Sequence, residues 1–316
     1  MKPLAFSLWS AGSVGLACLS AYSPVRAQIV PDNTLVTPSS VTPGCVVCTI
    51  EGGTLNGSNL FHSFREFSIP TGGEAWFNNP LQVQNILTRV TGTQLSNIDG
   101  LIRANGTANL FLLNPNGIVF GANARLQIGG SFSASTADSF QFGNGLTFSA
   151  INPQPAPLLR INLTPGLQYG PSRQGATIAN SGSLIVPQDL TLVADRLTLM
   201  GQLIAGRNLT LQAQDTVQIR DGAQSPFLSL SGGNTLIQGN QGIDIFAFSS
   251  PVPSFQSYGS LTLVSGGTIS ADAHFLSGGG FALLDLAGNP GQFISLFDPI
   301  ILVNGDVVFG NYTGPA

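Results

Sequence analysis

Lysine is almost missing from this 316-residue chain: Lys2 stands alone, and every basic residue past position 27 is an arginine. Nine arginines then face fifteen acidic residues, a balance of 9 − 15 = −6. Nucleic acid needs a basic face to neutralise phosphate, so this balance argues against it as a partner. Glutamate is scarce too, with only Glu51, Glu66 and Glu74. Exposed helix faces draw heavily on Lys and Glu, so long surface helices are not expected. Past Ala27 no uninterrupted apolar run is long enough to span a bilayer as a helix. Trp76 is the one tryptophan there, and the thiols are only Cys45 and Cys48. What is abundant is glycine (39) and phenylalanine (20), with much Ser, Thr, Asn, Val and Ile. That mixture favours many short strands joined by tight turns.

The first residues read as an export signal. Lys2 gives a positive start, Leu4 to Leu19 is largely apolar, and Val25-Arg26-Ala27 ends in a small residue before Gln28. This is the layout of a cleavable signal peptide over residues 1–27. Ser and Gly interrupt the apolar stretch, which argues against a permanent anchor. Leu16 stands one place too close to Cys18 for a lipoprotein signal.

A repeat is legible in the second half. Leu-Thr-Leu at 190–192 recurs at 209–211, and Leu-Ser-Leu follows at 228–230, each nineteen residues on. A second register runs through Leu197-Thr198-Leu199, Val217-Gln218-Ile219 and Leu236-Ile237-Gln238. Alternation sends the outer residues of each triplet to one face and the middle one to the other. One coil per period, stacked strand on strand, is a β-solenoid; Leu190, Leu209 and Leu228 would form an interior ladder. Pro-rich stretches at 152–157 and 249–253 read as excursions from the coils, because proline cannot donate to a strand ladder.

The stretch from 59 to 136 carries a family resemblance. It reads NLFHSFREFSIP at 59–70, RVTG at 89–92, NPNGIVFG at 114–121 and GGSF at 129–132. This order resembles the haemagglutination-activity, or two-partner-secretion, domain at the start of filamentous-haemagglutinin-like exoproteins. The resemblance implies an all-β right-handed parallel β-helix with N-terminal capping strands. It also implies recognition by an outer-membrane β-barrel transporter through that partner's periplasmic part. It gives Asn114, Pro115, Asn116, Gly117 and Ile118 a role in secretion, by shaping the fold or by touching the partner. The family's Asn-Pro-Asn-Leu is absent; Gly57-Ser58-Asn59-Leu60 stands at the comparable place, which makes Asn59 and Leu60 candidates as well.

The remaining chemistry is sparse. Cys45 and Cys48 form Cys-Val-Val-Cys, read as a local disulfide at the cap; a redox motif would open a helix, and zinc needs about four ligands. His62 and His274 lack triad partners, and His62 among aromatics reads as a packed, hydrogen-bonded residue. Gly239 to Ala247 resembles a single calcium nonapeptide, and a calcium roll needs several in tandem. Asp189, Asp195, Asp215, Asp221 and Asp244 are scattered; only Asp195 and Asp215 fall one coil apart. The sequence therefore reads as a non-enzymatic exported protein with no cofactor or metal. The expected divisions are a signal (1–27), a secretion-domain core (28–160) and continuing coils (161–316), with the chain read as a truncated product, a fragment of a longer gene or a short exoprotein that needs an assembly partner. Expected partners are the transporter and ligands on host or neighbouring cells, as for an adhesin. The alternative is a polysaccharide-acting β-helix enzyme.

Overall fold

The computed structural model describes residues 27–157, 166–168, 175–222, 225–297 and 299–314. The expected signal peptide, Cys18 included, falls outside them except for Ala27. The chain winds as coils that visit three faces in turn. One coil contributes Leu190–Ala194 to the first face, Arg196–Leu199 to the second and Gln202–Ala205 to the third. The next contributes Leu209–Ala213, Thr216–Arg220 and Leu228–Ser231. Each strand pairs in parallel with its counterpart one coil away. The architecture is a parallel β-helix.

Alternation in sequence becomes a column in space. On the first face Leu60, Ile86, Leu110 and Phe132 stand opposite one another in successive coils. Leu190, Leu209, Thr235, Leu261 and Phe281 continue the column. All are buried. Burying a side chain of this kind contributes roughly 1.5–3 kcal/mol, so the column is a main source of stability.

The expected ladder is right for Leu190 and Leu209 and wrong for Leu228. Leu209 faces Thr235, 26 residues on, whereas Leu228 lies on the third face opposite Gln202. The coil is lengthened by residues between Arg220 and Leu228, at the corner joining the second face to the third. That shift also reverses which side chains point inward: Ser229 and Ser231 are buried, while Leu228 and Leu230 are half-buried. The second register likewise holds for Leu197 and Val217 but continues into Ile243. Leu236-Ile237-Gln238 belongs to the first face. A second insertion, around Ser249 to Ser254, occupies the same corner one coil later.

The N-terminal end is closed by antiparallel strands. Gln28–Pro31 and Thr54–Asn56 both pair with Asn59–Ser68, and Ser39–Ser40 pairs with Val47–Gly52. The first excursion is larger than the proline run suggested. It begins with Ser139–Gln141 and Thr147–Ser149, which form an antiparallel sheet with Gly166–Gln168 outside the helix. Phe140 and Phe148 lay this sheet on Phe61, Leu87 and Leu113, on the outer side of the first face. Those three residues alternate with the interior column, so these strands are apolar on both sides and need a cover. The first-face ladder passes directly from Phe132 to Leu190 beneath the excursion.

Candidate functional site

Asn114-Pro115-Asn116-Gly117 makes the corner between Asn109–Leu113 on the first face and Ile118–Phe120 on the second. Asn114 is fully buried. Its Oδ1 accepts from the Asn116 backbone N–H at 3.0 Å and from Asn116 Nδ2 at 2.8 Å. Its Nδ2 donates to the Gln94 carbonyl at 3.1 Å and to Ser96 Oγ at 3.0 Å in the preceding coil. Asn116 Nδ2 donates to the Gly92 carbonyl at 2.8 Å. Gly117 N–H closes the turn onto the Asn114 carbonyl at 3.1 Å, and Gly117 sits at φ 120°. A side chain there would be strained and would stand 3.1 Å from the Thr177 carbonyl of the next coil. Ile118 is buried in the core behind the corner.

Asn59 and Leu60 lie at the other end of the first face. Leu60 heads the interior column. Asn59 is buried, and its Oδ1 accepts from Asn85 Nδ2 at 2.9 Å; Asn85 Oδ1 in turn accepts from Asn109 Nδ2 at 2.9 Å. Asn59 Nδ2 has no partner. Asn59 and Asn114 are not brought together: they are separated by roughly 16 Å along the strands and about 10 Å across two coils.

Between them lies a polar centre that the sequence reading did not assign. Arg89, from RVTG, is fully buried within Asn85–Val90, a strand covered on both sides. Nε donates to Ser63 Oγ at 2.9 Å and Nη2 to Thr34 Oγ1 at 2.8 Å. Nη1 and Nη2 also donate to the carbonyls of Ser149 and Gln154, each at 2.8 Å, so one guanidinium ties the excursion to the cap. Burial lowers its pKa to about 10, against the opposing pull of the Asp32 charge. Asp32 reaches Arg89 through shared hydroxyls: Ser63 Oγ donates to Oδ2 at 2.8 Å and Thr34 Oγ1 to Oδ1 at 2.5 Å. Thr91 Oγ1 donates to Oδ2 at 2.5 Å. Burial resists ionisation of Asp32, but hydrogen bonds from Thr34, Thr91 and Ser63 outweigh it and hold the pKa below the usual carboxylate value. The fourth residue of RVTG is also constrained: a Cβ on Gly92 would lie 2.2 Å from the Arg65 carbonyl. The available signal was a single charge within the short run Ile86-Leu87-Thr88-Arg89-Val90, which is expensive to bury unless fully hydrogen-bonded.

Cys45 and Cys48 are disulfide-linked, with Cα atoms 5.2 Å apart. Cys48 is buried in the core, and the Cys45 carbonyl accepts from the Ala27 N–H at 3.1 Å. His62 is buried, with Nδ1 at 3.0 Å from Ser39 Oγ and its ring stacked on Phe64. Burial lowers its pKa to about 3, so it is neutral at pH 7. His274 packs edge-on against Phe248.

The five aspartates singled out above are each engaged in local structure. Asp195 accepts from the N–H groups of Gly175 and Ala176, Asp215 from Arg196, and Asp244 from Arg220. Asp221 accepts from the N–H groups of Phe227 and Ser249, and so ties the two insertions together. Asp189 accepts from Asn208. Gly239 and Gly242–Ala247 belong to strands of the first and second faces, joined through Asn240 and Gln241. Among the described residues no group of three or more His, Cys, Asp or Glu is placed to hold a metal.

The molecule is thus a parallel β-helix closed by an antiparallel cap and clasped on one face by an outlying sheet. The family model for the TPS secretion domain matches residues 27–280. The chain belongs to that family, and is therefore a domain of a two-partner-secretion exoprotein. Among solved structures it is similar to the HMW1 secretion domain from Haemophilus influenzae, with 16% identity, a TM-score of 0.45, and 91% of this chain and 91% of that chain covered. It is also similar to the filamentous hemagglutinin secretion domain, with 17% identity, a TM-score of 0.44, and 90% of this chain and 96% of that chain covered. No curated relative matches the sequence.

Proposed function

We propose that this chain is the secretion module that an outer-membrane β-barrel transporter recognises, and that it carries an adhesin-like exoprotein to the cell surface. The family match over residues 27–280 carries this reading. Residues 1–27 direct the chain to the periplasm and are removed there. Segments within 28–160, still extended, add as strands to a sheet edge of the transporter's periplasmic part, where main-chain pairing gives affinity and side chains set register. Outside the cell the coils stack on one another from the cap, and the strands from Thr177–Asn180 onward continue the helix beyond the excursion.

The candidate residues act in this scheme through the folded state. Asn114, Pro115, Asn116, Gly117 and Ile118 build a buried corner, and Asn59 and Leu60 start the first face. All of them but the half-buried Asn116 are hidden from a partner once folding is complete, so they determine whether export ends in a stable coil. The Cys45–Cys48 link holds the start of the third face against the cap. The protein is not an enzyme in this reading: the aspartates that a polysaccharide-cleaving helix would cluster on one face are spent on turns and arginine pairs.

The test is export with and without the cognate transporter in the same host. Appearance of the mature chain outside the cell only when the transporter is present supports the proposal. Equal export without it would overturn recognition.

A further inference from the structure

One corner of the helix carries a side-chain ladder with a single direction. It begins with the Asn59–Asn85–Asn109 contacts, and Asn109 Oδ1 then accepts from the Ser131 backbone N–H at 2.8 Å. Ser131 Oγ accepts from the Asp189 N–H at 3.2 Å, and Asp189 Oδ1 from the Asn208 N–H at 3.0 Å. Asn208 Oδ1 accepts from the Asn234 N–H at 3.0 Å, and Asn234 Oδ1 from the Ser260 N–H at 2.8 Å. Ser260 Oγ accepts from the Gly280 N–H at 3.3 Å. At every step the acceptor is a side chain of the earlier coil and the donor belongs to the later one. From Ser131 onward the donor is a main-chain N–H, which can only donate, so the direction does not depend on how any amide group is turned.

The position has a reason. Each rung residue immediately precedes the first interior residue of its first-face strand: Asn109 before Leu110, Asp189 before Leu190, Asn208 before Leu209. The corner N–H takes a side chain of the earlier coil as its acceptor. The rungs also grade from buried at Asn59 to exposed at Asn234 and Ser260. Elsewhere the direction is mixed. The Asn105 N–H donates back to Asn79, whereas the Gly175 and Ala176 N–H groups donate forward to Asp195.

We propose that this one-way ladder makes coil formation directional, each coil presenting the side-chain oxygen that captures and registers the next. Main-chain groups wait at either open end: Leu209 N–H donates forward to the Asn234 carbonyl, and Asn234 N–H donates back to Asn208 Oδ1. Only growth from the cap adds to them a side-chain oxygen already in place to receive the incoming coil's N–H. The first rung, Asn59, is already held by the Thr54–Asn56 hairpin of the cap, so the ladder starts from a closed element. Stacked coils interact only with their neighbours, which lets a local bias at each interface set the order of assembly. The role in secretion rests on the reading that the chain folds after passing its transporter; the ladder itself does not.

The test uses refolding of the mature chain without any transporter, followed by pulse-labelled hydrogen exchange. In the natural sequence, amide protection is expected first at Leu110 and Leu112, then at Leu192, then at Leu211, Ile237 and Leu263. In Asp189→Ala, protection at Leu110 and Leu112 keeps its rate, and protection from Leu192 onward slows about five- to tenfold, the effect of one lost hydrogen bond, because the Leu190–Ala194 amides that face forward donate to the 209–213 coil. Asp189→Asn retains an acceptor and stays within about twofold of the natural chain. If Asp189→Ala does not refold, Asn234→Ala moves the break along the chain. Leu211 then keeps its rate and Leu263 slows, and Asn234→Asp restores it. Simultaneous protection of all coils, or an equal delay on both sides of the substituted rung, overturns the proposal and leaves the secretion reading untouched.

Discussion

The guanidinium carbon of Arg89 lies 4.1 Å from the ring centre of Phe148, which reaches it from the outlying sheet. A charge and an aromatic face thus meet beneath the clasp, and the arginine's donors reach both the cap and the excursion. Replacing Arg89 by Met is expected to lower stability by about 3 kcal/mol, because the Ser149 and Gln154 carbonyls lose their donor. Urea unfolding measures the loss. Limited proteolysis places it, with new cleavage expected between residues 138 and 157 before the coils open. Unchanged proteolysis there would show that the clasp is held by Phe140 and Phe148 alone.

His62 gives the fold a pH dependence of known sign. Its folded pKa is about 3 because burial excludes the charged form, and its unfolded value is near 6.5. Between these values the unfolded chain binds a proton that the folded chain does not. Stability is therefore complete above about pH 6.5 and falls with acidification by about 1.4 kcal/mol per pH unit toward pH 3. His62→Gln removes that slope. Denaturation midpoints at pH 7, 5.5 and 4.5 test it: the natural chain weakens steadily and the variant does so less.

Asp32 adds a second, more acidic dependence. Its folded pKa is depressed, so its contribution is present above the ordinary carboxylate value and is lost as pH falls through the lower folded one. Asp32→Asn is expected to reduce stability at pH 7 and to flatten the remaining loss below about pH 4. A variant with the natural chain's profile in that range would remove Asp32 from the account.

At the corner, Asn114→Ala deletes two donors and an acceptor from a fully buried site. The cost is about 2–3 kcal/mol, measured on the refolded protein, together with lost export in cells. Disruption of Asn116-Gly117, for example Gly117→Val, is expected to abolish secretion through strain at a positive φ and crowding against the Thr177 carbonyl. Lost export in a variant of natural stability would instead indicate direct contact with the transporter.

The third face provides an internal control. Leu209 is buried in the first-face column, and Leu209→Asn should cost more than about 3 kcal/mol. Leu228→Asn should cost less than about 1 kcal/mol, since Leu228 is only half-buried. Ser229 Oγ is buried without a partner, so Ser229→Ala is expected to be neutral or stabilising by up to about 1 kcal/mol. Melting temperatures of the three variants suffice to rank them.

The family resemblance sat in motifs whose residues prove to be corners and hubs. Asn-Gly at 116–117 announced a turn because few residues accept its backbone angles. Arg89 and Gly92 stood inside RVTG, yet their partners lie at Thr34, Ser149, Gln154 and Arg65, and no local spacing points to those positions. Asn59, Asn85, Asn109 and Asp189 likewise look like ordinary turn residues until the coils are stacked.

By itself the sequence determined that this chain is built of strands. Alternating apolar residues and a shortage of helix-favouring charge act over a few residues, and local forces decide them. The nineteen-residue spacing that the sequence showed holds for the coil from Leu190 to Leu209, while the step from Leu60 to Ile86 takes 26 residues. Only the tertiary structure decided which residue faces which: Leu209 meets Thr235 rather than Leu228 because insertions at one corner change a coil's length without changing its shape. The arginine centre and the one-way ladder were settled at the same level, because hydrogen bonds between coils depend on closeness in space, and sequence distance carries no information about that.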